Sequence, residues 1–252
     1  MKSSIQSQAT SFGADDTVRY QNRRDAGKAL ARHLSAYQDA PDAIVLALPR
    51  GGVPVAYEVA ERLHLPLDLF MVRKLGVPLF EELAMGAIAS GGVRILNEEV
   101  INRLRITPQI IDAATEEQQD ELRRREFRYR GDRPPLDLDG KRVILIDDGL
   151  ATGSSMRAAI QALRLLNPEE ITVAVPVGCL EICEQLQKEV GEVICAKTPE
   201  PFQAVGQWYA DFGQTNDAEV TELFNRSAHH RRVREIAKAK GEPIESLTSA
   251  VV

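Results

Sequence analysis

Residues 143–155, Val-Ile-Leu-Ile-Asp-Asp-Gly-Leu-Ala-Thr-Gly-Ser-Ser, restrict the fold more than any other part of the chain. Four successive apolar residues leave no polar side for solvent. That predicts a short strand covered on both faces, as in a parallel sheet flanked by helices. Asp147 and Asp148 follow at the strand's C-terminal end, and a small-residue loop runs from Gly149 to Gly153. Beyond Ser154 and Ser155, the positions Met156, Ala159, Ile160, Leu163 and Leu166 share one helical face. The unit reads strand, acid pair, small loop, helix N-terminus.

Each part has a chemical use. A helix N-terminus offers unpaired N–H groups and a partial positive charge to a phosphate. Gly and Ala allow close approach to the backbone, and Thr152, Ser154 and Ser155 add hydroxyl donors. Two carboxylates suit sugar hydroxyls one step along the ligand, or a divalent cation. A sugar phosphate satisfies both halves. The plainer alternative is a solvated acidic turn with Ser or Thr capping the next helix; the parts occurring together in this order outweigh it. Neither Gly-x-x-x-x-Gly-Lys-Ser/Thr nor Gly-x-Gly-x-x-Gly fits.

The segment resembles the phosphoribosyl-pyrophosphate (PRPP) signature of the type I phosphoribosyltransferases: four apolar residues, two acids, then small and hydroxyl residues. One departure is Gly149, where the family more often carries an aliphatic residue or Ser, and a slightly looser loop is expected. The resemblance implies that Asp147 and Asp148 hold the ribose hydroxyls and, directly or indirectly, Mg²⁺. It implies that Ala151, Thr152, Gly153, Ser154 and Ser155 anchor the 5′-phosphate.

Two further strand ends extend the reading. A strand at 44–48 runs into Pro49-Arg50-Gly51-Gly52 and a helix at 54–63. By the resemblance this is the pyrophosphate loop, with Arg50, a planar donor suited to phosphate, beside Gly51 and Gly52. A strand at 67–72 ends in Arg73 and Lys74, which would lie at the same sheet edge; the resemblance implies that they assist catalysis at the pyrophosphate. By the same resemblance, residues 77–85 would form a flexible loop closing over PRPP. Residues 87–96 suggest a hairpin turning at Gly91-Gly92, and 97–130 two charged helices separated at Pro108. The run Arg123, Arg124, Arg125, Arg128, Arg130 is interleaved with acids and reads as a salt-bridged solvent face.

Strands at 171–177 and 193–196, with a helix between, complete one doubly wound α/β domain with a mostly parallel sheet over 19–224. The domain opens with a helix at 19–37, with His33 half-buried, after a flexible N-terminus at 1–18. The helices at 97–130 are an insertion. An aromatic segment at 199–224 is a possible hood, in which Trp208, Tyr209, Asp211 and Phe212 would recognise the acceptor. A basic mobile or helical tail occupies 225–252, where a metal at His229 and His230 is a weak alternative. Cys179, Cys183 and Cys195 read as small buried hydrophobes.

A formal net charge of −6 argues against non-specific nucleic-acid binding. No apolar run approaches the ~20 residues that span a bilayer, and no apolar leader is present, so a cytoplasmic protein is expected. The function implied is PRPP-dependent phosphoribosyl transfer to a nitrogen acceptor, a nucleobase or related heterocycle, in a Mg²⁺-dependent homodimer; no residue stands out as a general base. The competing class is a PRPP- or nucleotide-sensing regulator on the same fold that binds RNA or protein.

Overall fold

In a computed structural model, which describes residues 18–78 and 80–241, the four apolar residues before the acid pair lie in the middle strand of a five-stranded parallel sheet. The chain enters through α1 (Arg23–His33) and a 3-10 turn (Ser35–Tyr37), then runs β1 (Ala43–Ala47), α2 (Gly52–Leu63) and β2 (Leu67–Leu69). It then leaves the sheet for an antiparallel meander, β3 (Val72–Val77), β4 (Phe80–Ala89) and β5 (Val93–Leu96), and two helices, α3 (Glu98–Leu104) and α4 (Pro108–Arg130). The strands β6 (Arg142–Ile146), β7 (Glu170–Val175) and β8 (Glu192–Cys195) alternate with α5 (Ser154–Arg164) and α6 (Leu180–Gln187). A second 3-10 turn (Val205–Trp208) precedes α7 (Asp217–Lys240).

The sheet order is β2-β1-β6-β7-β8, every neighbouring pair parallel. From β1 the chain builds outward to β2, and from β6 it builds the opposite way. The order reverses between β1 and β6, so the crevice where an open α/β sheet usually takes its ligand falls beyond their C-terminal ends. Alternation along the strands divides the core. Val45, Ala47, Ile144, Ile146 and Ala174 face the layer containing α2, while Leu46, Val143, Leu145, Val173 and Val175 pack with Met156, Ile160 and Leu186 on the other side. Fully burying such aliphatic side chains stabilises by about 1.5–3 kcal/mol each.

The doubly wound class, the two charged helices and the hairpin at Gly91-Gly92 stand as expected. Arg123, Arg124 and Arg125 pair with Asp120 and Glu121 on their own helix. Four expectations change. The predicted strand at 67–72 is two strands in different sheets, because Phe70 and Met71, both buried, carry the chain from one sheet to the other. The expected flexible loop at 77–85 is largely strand, β3 pairing antiparallel with β4 from Val72↔Ala89 to Val77↔Phe80; Leu79 lies outside the described residues. His33 is exposed. The tail is helical through Lys240 and is not wholly solvated. Ser227 and Ala237 are buried, and His230 and Arg234 both reach Glu61 of α2 (2.7 and 3.2 Å). His230 is thereby committed to a carboxylate, and no group of three metal-ligating side chains occurs among the described residues. The flexible stretches expected at 1–17 and 242–252 lie outside the described residues. No helix among the described residues is long and apolar enough to cross a membrane.

Candidate functional site

The β1–α2 and β6–α5 loops flank the crevice and touch. A Cβ on Gly51 would lie 2.7 Å from Cγ of Asp148, and one on Gly52 2.9 Å from Cα of Asp147. No side chain fits at either position, so the glycines are what bring the Arg50 loop against the acid pair. The Pro49–Arg50 peptide is cis.

Asp147 and Asp148 are half-buried. Burial pushes the Asp147 pKa well above the usual carboxylate range, and the neighbouring Asp148 charge adds to this. Asp148 is also raised by burial, opposed by Arg23, whose Nε donates to its Oδ2 at 2.7 Å. The Asp148 amide donates to Asp147 Oδ1 at 2.8 Å. The pair therefore resists double ionisation until something cationic or hydrogen-donating arrives.

Arg23 was not apparent in the sequence as a site residue, since it lies 125 positions away from Asp148 on α1. Its guanidinium also donates to the Gly213 carbonyl (2.7 Å) and lies 3.9 Å from the Phe212 ring centre. Only the fold brings α1 over the acid pair.

Next along the chain, Ala151, Thr152, Ser154 and Ser155 are exposed around Gly153, whose φ of 71° and close neighbour Ile182 require glycine. Asn side chains cap α1, α3 and α7. No side chain caps α2, α4, α5 or α6, and of these α2 and α5 open at the crevice, beginning at Gly51 and Gly153. The Ser154 amide reaches Thr152 Oγ1 only at 3.5 Å. The first-turn amides of α5, with the hydroxyls around them, are an anion cradle. Gly149 does not loosen this loop: a Cβ there would lie 2.7 Å from Val205 Cγ2, and Leu150 is fastened to Val177 and Cys179 by backbone hydrogen bonds of 2.9 and 2.8 Å. The glycine answers a packing demand.

Arg50 lies 3.5 Å from Asp217 at the start of α7. Asp217 also accepts from Tyr129 (2.6 Å) and pairs with Arg128. These partners hold its carboxyl below the usual range, Tyr129 foremost. Asp217 thus joins the Arg50 loop to α4 and α7, a role the sequence did not signal.

Arg73 and Lys74 are not at the end of a parallel strand. Both lie within β3 and alternate across it. Arg73 is turned to α4, donating to Gln118 (2.7 Å) and lying 3.9 Å from Glu121. Lys74 is exposed and lines, with Ser154 and Arg157, a cavity of about 670 Å³ between the meander and α5. So the fold places Lys74 near the cradle and withdraws Arg73.

The aromatic segment is not the open stacking slot expected. Tyr209 is buried between Tyr20 and Phe212, and its hydroxyl donates to the Asp148 carbonyl at 2.5 Å. Burial and the Asp148 charge raise its pKa, so it stays a donor. Trp208 is half-buried, and Asp211 is exposed with its carboxylate accepting from the Gly213 amide (2.9 Å). Phe212, 36% exposed, keeps accessible surface beside Arg23, the partner of Asp148.

The site thus holds two carboxylates for hydroxyls, free amides and hydroxyls for a phosphate, and a guanidinium in a glycine turn. Two carboxylates also fit a hard dication that keeps water and takes its other ligands from phosphate oxygens.

A family model described as the phosphoribosyl transferase domain matches residues 19–206. A Mycobacterium tuberculosis protein provisionally named a phosphoribosyl transferase is 43% identical over 208 residues, 82% of this chain and 47% of the relative. The chain spans about half the length of that curated relative. The bifunctional protein PyrR of Chloroflexus aurantiacus is 34% identical over 136 residues, covering 50% of this chain and 65% of the relative. Among solved structures, TT1426 from Thermus thermophilus is 40% identical, with a TM-score of 0.73 over 83% of this chain and 99% of that one.

Proposed function

The chain belongs to the phosphoribosyltransferase family, and from that premise we propose that it transfers the 5-phosphoribosyl group of PRPP to a nitrogen acceptor, a nucleobase or related heterocycle. The bond from ribose C1 to the pyrophosphate oxygen breaks, a C1–N bond forms, and pyrophosphate leaves. The observation that carries this reading is the contact of Gly51 and Gly52 with Asp147 and Asp148 at the switch point. It sets a guanidinium-bearing loop against an acid pair, with an anion cradle on the same strand-to-helix connection.

In this reading Ala151 to Ser155 bind the 5′-phosphate through amides and hydroxyls. Asp147 and Asp148 accept from the ribose hydroxyls and favour positive charge developing on the ring. Arg50, from the Gly51–Gly52 turn, orients the pyrophosphate; Lys74 approaches from β3, and Arg73 holds α4 in place. Mg²⁺, held by Asp147 and Asp148 with the ligand's own oxygens, would neutralise charge on the departing group. Arg23 and Phe212 border the space left for the acceptor, so 199–216 serves as the hood and Tyr209 as its strut. A cytoplasmic homodimer accords with the reading.

The test is pyrophosphate release from PRPP and Mg²⁺ with a panel of purine, pyrimidine and pyridine bases, alongside calorimetric PRPP titration. Turnover with one base, and PRPP binding lost in Asp147→Asn/Asp148→Asn, is the expected result. Absence of PRPP binding to the unmodified chain sinks the proposal.

A second reading draws on Arg23, which already occupies Asp148 Oδ2: a sensor that binds PRPP or a nucleotide without turnover and signals to RNA or protein. Similarity to a relative named bifunctional accords with it. The Arg123–Arg125 run lends it no support, being paired within α4. PRPP binding with no pyrophosphate released for any base would favour it.

A further inference from the structure

The parallel sheet has a second concavity at its other edge. A cavity of about 560 Å³ lies against Ile44 and Leu67, at the N-terminal ends of β1 and β2, and is walled by the end of α4, the segment after it and the middle of α7. A five-residue strand, roughly 16 Å, separates this edge from the acid pair.

Four arginines line the cavity, and they are not equivalent. Arg130, its side chain 9% exposed, is bidentate to Asp68 (2.8 and 3.1 Å), and also donates to the Pro134 carbonyl. Arg231 pairs with Glu235 at 3.7 Å. Arg133 lies flat on Phe224, 3.9 Å from the ring centre, and donates to the Asn225 side chain (3.1 Å). Among the described residues neither Arg133 nor Arg232 has a carboxylate within ion-pair distance. Asp68 is near enough to favour the Arg133 charge, but burial outweighs it and lowers the Arg133 pKa. With the two pairs set aside, Arg133 and Arg232 remain against Asp137 alone. A partly desolvated guanidinium with no ion-pair partner among the described residues, at a cavity wall, suits an anion.

The rest of the lining limits which anion. Ile44, Leu67, Leu136 and three prolines give an apolar wall suited to a ring. The volume lies in the range of small-molecule sites, about 300–1,000 Å³. Two unpaired cations in a chain of net charge −6 are too few for a polyanion. We propose that this cavity binds a phosphorylated nucleoside, its phosphate on Arg133 and Arg232 and its ring on the Ile44–Leu136 wall. The site is separate from the proposed PRPP site and does not depend on PRPP use.

The test is calorimetric titration of the full chain carrying Ser154→Glu, which places a like charge in the phosphate cradle at the opposite edge. The probes are AMP, GMP, UMP and inorganic phosphate at low ionic strength. One nucleotide is expected to bind with one-to-one stoichiometry, more tightly than inorganic phosphate. Adding Arg232→Glu should weaken it roughly tenfold or more. Arg232 is exposed and has no ion pair among the described residues, so that change should leave the fold intact; Arg133→Gln should act in the same direction. Absence of nucleotide binding, affinity unchanged by Arg232→Glu, or phosphate binding as tightly as every nucleotide overturns the proposal. So does binding of a single-stranded RNA with the mononucleotides silent.

Discussion

The two edges of the parallel sheet handle charge in opposite ways. At the N-terminal edge, Arg142 grips Asp42 with two hydrogen bonds (2.8 and 2.7 Å), and Arg130 grips Asp68 likewise. Each carboxylate has its own guanidinium, and Arg142 holds the Asp42 pKa down. At the C-terminal edge two adjacent carboxyls share Arg23, and both pKa values go up. Glycines replace side chains there, and hydroxyls stand exposed. At β1 and β2 the N-terminal edge completes its own electrostatics, with Arg133 and Arg232 the exceptions behind the second proposed site; at β7 and β8 burial and the Glu170 charge raise the Glu192 pKa. The C-terminal edge leaves a surplus that a ligand must complete, as functional sites tend to.

Substitutions at the two edges should therefore separate activity from stability. The largest expected effect is that of Asp147→Asn/Asp148→Asn on pyrophosphate release, a loss of roughly 10²- to 10³-fold, read as steady-state rate with PRPP and the accepted base. At the opposite edge, Arg130→Ala leaves Asp68 without its bidentate partner in a mostly buried position. It should cost about 3 kcal/mol in urea unfolding, with kcat/KM unchanged in the protein that remains folded. Gly51→Ala should do some of both. Its Cβ would meet the Asp148 carboxyl, so that carboxyl or the loop must shift at a cost of about 1–3 kcal/mol, and PRPP affinity should fall with it. Equal PRPP affinity in Gly51→Ala and the unmodified chain would break the link between the two loops.

The smallest effect is a matter of pH. The folded-state pKa of Asp147 lies above its unfolded value, so its contribution favours the folded state at low pH. That contribution is lost as pH rises from the ordinary carboxylate pKa through the raised folded value. Asp147→Asn removes this dependence and should raise the thermal midpoint at neutral pH more than at pH 4. A midpoint lowered at neutral pH would show that the acid pair stabilises the empty fold, contrary to the comparison.

Much of this was legible locally. The run Val143-Ile144-Leu145-Ile146 specified a two-sided strand, and Arg50-Gly51-Gly52 and 151–155 were visible as loops suited to phosphate. Local pattern failed where residues answer to distant neighbours. Residues 67–77 read as one strand followed by a loop, since nothing nearby reveals that Phe70 and Met71 carry the chain between sheets. That error moved Arg73 to the wrong place. Tyr209 and Phe212 looked equivalent as aromatics, yet one is buried under Asp148 and the other keeps an open edge.

What the sequence determined by itself was the set of chemical parts: two acids, a cradle of small and hydroxyl residues, a glycine-flanked arginine, and the alternation that forces a parallel sheet. Periodicity and backbone permissiveness act over a few residues, so they can be read from a few residues. The tertiary structure alone decided which charges meet. Arg23 comes to Asp148 across 125 positions, and Asp217 to Arg50 across 167. Such pairings depend on how whole helices pack against the sheet, and no spacing along the chain encodes the distance between them.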